Sequence, residues 1–308
     1  MRPQRIIATA AVAAALAGTS AAAFPGAVVG RSQPLPALTA QALAARYATD
    51  SRMITRAARA ASGDNQSLAR SLDAMRGEHF IDFSPVGQGL AVEVVGNLAR
   101  AKRVVILVPG SDTSLATFDS RGTASPGGAA RSLAAEVNRL HPGASLAIVA
   151  WLGYADPATL SPSVMTSGDA GQGAAALRPF VDYLARHGRQ VALICHSYGS
   201  VVCGLAAPHL PVTDIAVVGS PGMDAASVRA LHTTARVWAG RGTSDWIRYA
   251  PHAHFLGLGF GQDPMAAAFG ARVFAAGRGG HSGYFVPGSI ALRNLAYIAL
   301  GDPAGVTR

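Results

Sequence analysis

Residues 191–200, Val-Ala-Leu-Ile-Cys-His-Ser-Tyr-Gly-Ser, carry an apolar run into a sharp turn with Ser197 at its apex. A serine held on a strand-to-helix elbow presents its hydroxyl at the edge of a sheet. The helix start behind it offers N–H groups where negative charge develops during acyl transfer. Strand and helix cross closely at such an elbow, so the residues two before and two after the serine must be small. Gly199 meets the second requirement, and Cys195 stands in place of the usual first glycine, so the motif is C-x-S-x-G. A hydroxyl needs a base to become a nucleophile, and the base needs an acid to orient it. In this architecture they follow the serine in the order acid, then histidine, each just beyond a strand. Asp245 lies in the loop after the apolar run 236–239, and His281 lies in the glycine-rich loop after the run 272–275. These are the expected acid and base. Asp263, before the last run, is the alternative acid, and His252 and His254 are rival bases. An oxyanion needs two backbone donors. The N–H of Tyr198, directly after the serine, is one. The N–H of Ser111, in the loop 108–113, is expected to be the other. Asp112 beside it reads as a turn residue. His196 is expected to pack beneath the elbow, and Tyr154 and Trp246 are candidate pocket-lining aromatics. His252 and His254 resemble a ligand pair, but no third ligand cluster or C-x-x-C accompanies them, so no metal site is expected. Acyl chemistry of this kind calls for no cofactor.

Positioning these loops requires a sheet. Short β-branched or apolar runs, each closed by glycine, proline or serine, occupy residues 79–83, 90–95, 103–108, 146–151, 191–195, 215–219, 236–239 and 272–275. The third to sixth are almost continuously apolar, as strands become when both faces of a parallel sheet are covered. Helical stretches fall at 129–140, 173–186, 199–207 and 225–232, and a last one at 289–300 closes the domain. Only six residues join the first two runs, so these should pair antiparallel. From the third run on, strand and helix alternate, which predicts parallel strands with right-handed crossovers. The expectation is an α/β domain over 79–308, with an eight-stranded, mostly parallel sheet and helices on both faces. Residues 24–78 form an N-terminal extension. Pro25, Pro34 and Pro36 mark a linker, and residues 38–76 read as two helices broken at Gly63-Asp64-Asn65.

Composition narrows the function classes. The chain has 308 residues, half of them hydrophobic and only 14% charged, which suits a large core and excludes wholesale disorder. The net charge of +9 comes from arginines scattered along the chain with a single lysine, Lys102, and no run of like charge. A nucleic-acid groove is therefore not expected. Arg2 and Arg5, the apolar stretch 6–18 and Ala21-Ala22-Ala23 read as a secretory signal peptide over residues 1–23. Its apolar stretch is shorter than the ~20 residues that span a bilayer, and no second one follows, so a secreted or cell-envelope protein without a permanent membrane span is expected. The only cysteines are Cys195 and Cys203. A strand end and the helix after it rarely present disulfide geometry, so packed thiols are the favoured reading and a Cys195–Cys203 bridge the open alternative.

Taken together, these segments resemble an actinobacterial α/β-hydrolase family of largely undefined substrate. The resemblance is carried by Phe80-Ile81-Asp82-Phe83, Ala91-Val92-Glu93-Val94-Val95-Gly96, Val108-Pro109-Gly110, Ala150-Trp151-Leu152-Gly153-Tyr154, His196-Ser197-Tyr198-Gly199-Ser200, Gly219-Ser220-Pro221-Gly222, Asp245-Trp246-Ile247, Phe269-Gly270-Ala271-Arg272 and Gly280-His281-Ser282. It covers about residues 79–300. Two positions depart from it: Cys195 at the first elbow glycine, and Gly283 where an acidic residue is expected. The resemblance implies an α/β-hydrolase fold with Ser197, Asp245 and His281 as a catalytic triad. The resulting expectation is a secreted serine hydrolase that cleaves an ester or related acyl bond in a small-molecule or lipid-like substrate. Two alternatives are an envelope acyltransferase using the same residues and a catalytically silent binding protein of the same fold. The loop 156–171, rich in proline, serine and glycine, is expected to overhang the site.

Overall fold

The computed structural model describes residues 33–63, 65–120, 122–155, 167–250 and 259–308. The expected signal peptide, most of the loop 156–171 and the pair His252 and His254 lie outside the described residues. Two helices come first, α1 (Ala40–Ala61) and α2 (Gln66–Ala74), each started by a side chain that accepts a backbone N–H: Thr39 from Ala42 and Asn65 from Leu68. Strands and helices then follow as β1 (Phe80–Ser84), β2 (Leu90–Val95), β3 (Arg103–Val108), α3 (Pro126–Leu140), β4 (Leu146–Leu152), α4 (Gly168–Arg186), β5 (Gln190–His196), α5 (Gly199–Ala206), β6 (Val212–Val218), β7 (Arg236–Gly240), β8 (Arg272–Val273) and α6 (Ile290–Leu300).

The strands form one sheet in the order β1-β2-β4-β3-β5-β6-β7-β8. β1 pairs antiparallel with β2, as the short connection predicts, and β2 pairs antiparallel with β4. The remaining neighbours are parallel. Side chains alternate along the central strands, so one set faces each layer. Val191, Leu193 and Cys195 of β5 join the core with α4 and α5, whereas Ala192 and Ile194 join the core with α3 and α6. β3 divides in the same way, with Val104, Ile106 and Val108 on the first side and Val105 and Leu107 on the second. Covering both faces requires apolar residues at every position, which is why these strands read as unbroken apolar runs.

At the end of the sheet away from the elbow, the buried Asp214 carboxylate accepts from Arg103 at 2.8 Å, Arg236 at 2.7 Å and the Trp238 indole at 3.0 Å. Arg103 also donates to the carbonyl of Ala299 at 2.6 Å. Strands β3, β6 and β7 and the end of α6 are thereby tied by one satisfied charge cluster, and a buried charge needs such partners to be tolerated.

Three expectations on elements are corrected. The stretch 225–232 is not an α-helix but holds only a 3-10 turn, Arg229–Leu231. Ala225 instead bridges Gly261, and its carbonyl accepts from Gln262 at 3.1 Å, so its backbone is committed elsewhere and eight residues are too few to form a helix alone. β8 is two residues long rather than four. The Phe274 N–H still reaches Ala239 at 3.0 Å, but the Ala275 N–H bonds Thr307 at 3.0 Å, so the C-terminal tail takes over the ladder.

The third correction is covalent: Cys195 and Cys203 form a disulfide. The sharp elbow turns α5 back over the face of β5 that carries Cys195. This brings the two Cα atoms to 6.5 Å, within the span that a disulfide bridges. Linear adjacency of a strand end and a helix says nothing of this reversal.

Candidate active site

Ser197 sits between β5 and α5 with φ of +52°, in the left-handed region that side-chain-bearing residues rarely adopt. Its N–H bonds the Val218 carbonyl on β6 at 3.0 Å, which ties the apex to the neighbouring strand. Two glycines make the close approach possible. A Cβ on Gly199 would lie 2.3 Å from the Pro109 carbonyl oxygen, and one on Gly110 would lie 2.6 Å from the Ser197 Cβ. The loop after β3 is thus pressed against the serine. Ser111, next along that loop, lines the cavity in front of it. Tyr198 follows the serine at the start of α5, and its phenol points away, accepting from the Ala170 N–H at 3.1 Å.

His281 and Asp245 converge on the serine from the loops after β8 and β7. His281 Nε2 lies 2.9 Å from the Ser197 Oγ, and Nδ1 lies 2.9 and 3.1 Å from the two Asp245 carboxylate oxygens. An acceptor-only carboxylate assigns the proton to Nδ1 and leaves Nε2 as the acceptor facing the hydroxyl. Asp245 is fully buried. Burial alone would raise its carboxyl, but hydrogen bonds from His281, Tyr284 and the Ile247 N–H outweigh this and hold it below the usual carboxylate range. The group stays ionised behind the imidazole. Chemically, this arrangement can take a proton from Oγ as the oxygen attacks and return it to a leaving group.

Asp263, the alternative acid, is turned elsewhere: it pairs with Arg241 at 2.9 Å and accepts from the Met265 N–H at 2.9 Å. Asp112 adopts a left-handed turn conformation, with φ of +66°, and also lines the cavity. Trp246 lines it too, half-exposed, with its ring centroid 4.7 Å from that of His281. Tyr154 does not: it is buried against Trp151 in the core under α4.

Two residues at the site were not singled out as functional from the sequence. The buried Tyr284 hydroxyl donates to Asp245 Oδ2 and accepts from the Gly242 N–H at 3.2 Å. Burial first, then this bond, push its phenol well above the usual range, so it remains a donor. His196 does not merely pack. Its Nε2–H donates to the His281 carbonyl at 2.7 Å, and burial lowers its pKa to about 4, so the ring is neutral at physiological pH. A tyrosine three residues after His281 and a histidine before Ser197 were the available signals, but neither has a role until the loops meet.

Among the described residues no group of three or more His, Cys, Asp or Glu side chains could hold a metal ion, and no helix is long and apolar enough to cross a membrane.

The chain is 30% identical over 251 residues to uncharacterized proteins from the CDC 1551 and H37Rv strains of Mycobacterium tuberculosis. The match takes in 70% of this chain and 37% of theirs, so the chain spans little more than a third of those relatives' length. Among solved structures, it is similar to a dienelactone hydrolase from Anabaena variabilis at 18% identity and a TM-score of 0.46, covering 75% of this chain and 98% of that one. It is also similar to the esterase LipW from Mycobacterium marinum at 14% identity and a TM-score of 0.43, covering 86% and 90%. The sequence profile of the alpha/beta hydrolase family matches residues 84–255, more than half of the chain and including Ser197 and Asp245, and the chain belongs to that family.

Proposed function

We propose that the protein is an exported serine hydrolase that cleaves a carboxylic ester, or a related acyl bond, through an acyl-enzyme on Ser197. The observation that carries this reading is the unbroken chain from Ser197 Oγ through the His281 imidazole to the buried Asp245, each contact within 2.9 Å. Ser197 Oγ attacks the substrate carbonyl while His281 Nε2 takes its proton. The carbonyl oxygen becomes an oxyanion, held by the N–H groups of Tyr198 and Ser111. Collapse expels the alkoxide, which His281 protonates, and leaves the acyl group on Ser197. His281 then deprotonates a water, which attacks the acyl carbon and releases the acid and the free serine. Asp245 stays ionised and stabilises the imidazolium in both halves. Export is supported by the leader-like residues 1–23 and by the Cys195–Cys203 disulfide, since disulfides persist in oxidising compartments.

The test is a fluorophosphonate probe applied beside a chromogenic ester. Wild type should be labelled at Ser197 and should turn over the ester, and Ser197→Ala should lose both. Equal turnover by the two proteins would end the proposal, and absence of labelling in folded wild type would favour a silent binding protein. Ester rather than free acid as the main product with an added acceptor alcohol would point to acyl transfer.

A further inference from the structure

The cavity in front of Ser197 has a volume of about 280 Å³ and walls of two chemical kinds, polar and apolar. His281 must protonate the leaving oxygen, so the alcohol part of the substrate lies on the imidazole side, along the half-exposed Trp246 and out to solvent. The acyl part is left with the apolar wall. That wall is made by Leu107 of β3, Ile194 of β5, Ala129 of α3 and Phe285, all buried. Leu107 and Ile194 point to the α3 and α6 side of the sheet, so this apolar wall belongs to that side. Phe285 is held there by its carbonyl, which accepts from Ser132 of α3 at 2.6 Å.

The cavity also has hydroxyl-bearing walls, and three of these hydroxyls have their hydrogens committed. A hydroxyl has one hydrogen to give. That of Thr113 goes to the Gly110 carbonyl at 2.7 Å, that of Thr117 to the Asp112 carbonyl at 3.0 Å, and that of Ser125 to the Gly122 carbonyl at 2.6 Å. Among the described lining residues there is no lysine or arginine. Such a cavity offers no side-chain cation among the described lining residues to an acyl group that carries an anion.

We infer that this apolar part of the cavity is a pocket for a short, neutral aliphatic acyl chain, with Ala129 and Phe285 setting its length. The inference rests on the serine-hydrolase reading above. The volume falls just under the ~300–1,000 Å³ of sites that hold drug-sized ligands. At ~30 Å³ per water-sized group it holds roughly nine such groups. The reacting ester takes about four of these and the alcohol part shares the rest, so the acyl chain is held to at most about four to six carbons.

The experiment is a series of p-nitrophenyl esters from acetate to decanoate, read as kcat/KM on wild type, Ala129→Leu and Phe285→Ala. For wild type, kcat/KM should rise about fourfold per methylene, the ~0.8 kcal/mol of each buried CH₂ converted at ~1.4 kcal/mol per tenfold, up to four to six carbons, and then fall. Ala129→Leu should move the optimum to shorter chains and Phe285→Ala to longer ones. The readout is the ratio of kcat/KM for octanoate to that for acetate, which should change at least fourfold in opposite directions. Fluorophosphonate labelling and thermal unfolding of each variant verify that the site and fold persist, and either variant alone suffices if the other fails to fold. A chain-length profile that does not move in a folded, labelled variant overturns the pocket while leaving the serine reading intact. Preference for succinyl over butyryl esters overturns it as well. Failure of wild type to label or to cleave any ester overturns the serine reading, and the pocket with it.

Discussion

Tyr284→Phe removes one oxygen from the site and leaves the ring where it is. That oxygen donates to Asp245 Oδ2 and accepts from the Gly242 N–H, and both Asp245 and Tyr284 are buried, so water cannot replace it. A hydrogen bond to a charged group is worth about 1.5–3 kcal/mol net. In a protein of this size each kcal/mol moves Tm by about 2–4 °C, so the variant should melt roughly 3–12 °C lower at neutral pH. Losing that bond raises the Asp245 pKa relative to wild type, because the bond favours the ionised form. Asp245 is held below its unfolded value in the native protein, so its contribution to stability is present above about pH 4 and is lost as pH falls through the folded value. The gap in Tm between variant and wild type should therefore be full at pH 7 and should begin to narrow as pH falls below about 4. Asp245 keeps its bonds to His281 and Ile247, so kcat should fall about tenfold, well short of the ~10⁴-fold that follows loss of the acid's orienting role in a serine triad. The assay is thermal unfolding at half-unit pH steps from 3 to 8, with ester turnover alongside. A variant that matches wild type in Tm and rate at pH 7, or whose deficit is the same at every pH, would refute the assignment of this hydroxyl to the ionised carboxylate.

The Cys195–Cys203 disulfide closes a loop with a sequence separation of 8, and removing it should cost about 2.5 kcal/mol by loop-closure entropy. The double variant Cys195→Ala/Cys203→Ala should therefore melt roughly 5–10 °C lower and label more slowly at Ser197. An unchanged Tm, with wild type shown to have no free thiol when unfolded, would contradict this. Asp50 of α1 is buried with no hydrogen-bond partner on either carboxylate oxygen among the described residues. Burial raises its pKa to about 7, with Arg46 opposing and Asp82 adding to the rise. A carboxyl raised in the folded state stabilises below its unfolded pKa and loses that contribution as pH climbs through the folded value. Asp50→Asn should consequently flatten the fall in stability between about pH 4 and 7, and a slope identical to wild type would show that the group is solvated.

How much of this was legible beforehand differs by element. Strands β3 to β6 were visible because burial on both faces forces apolar residues at nearly all positions, a signal that survives without any knowledge of partners. The elbow was visible because glycine at 199 is demanded by a backbone oxygen 2.3 Å from where a Cβ would sit, and a sharp turn between an apolar strand and a small-residue helix has few other uses. Asp245 and His281 could be named because each lies just past a strand in the expected order, so the chain's own punctuation placed them at the same sheet edge.

Other features depended on distances between segments remote in the chain. Which of Asp245 and Asp263 faces the imidazole turns on Arg241 capturing the second of them. Tyr284 and His196 acquire partners only when the loops after β7 and β8 close over the serine. The disulfide needed α5 to fold back along β5, and the stretch 225–232 lost its helix to a bridge with Gly261. Local sequence sets which conformations each segment can adopt, because sterics and burial act residue by residue. The choice among side chains of equal chemistry is made by the few ångströms that only the packed molecule defines.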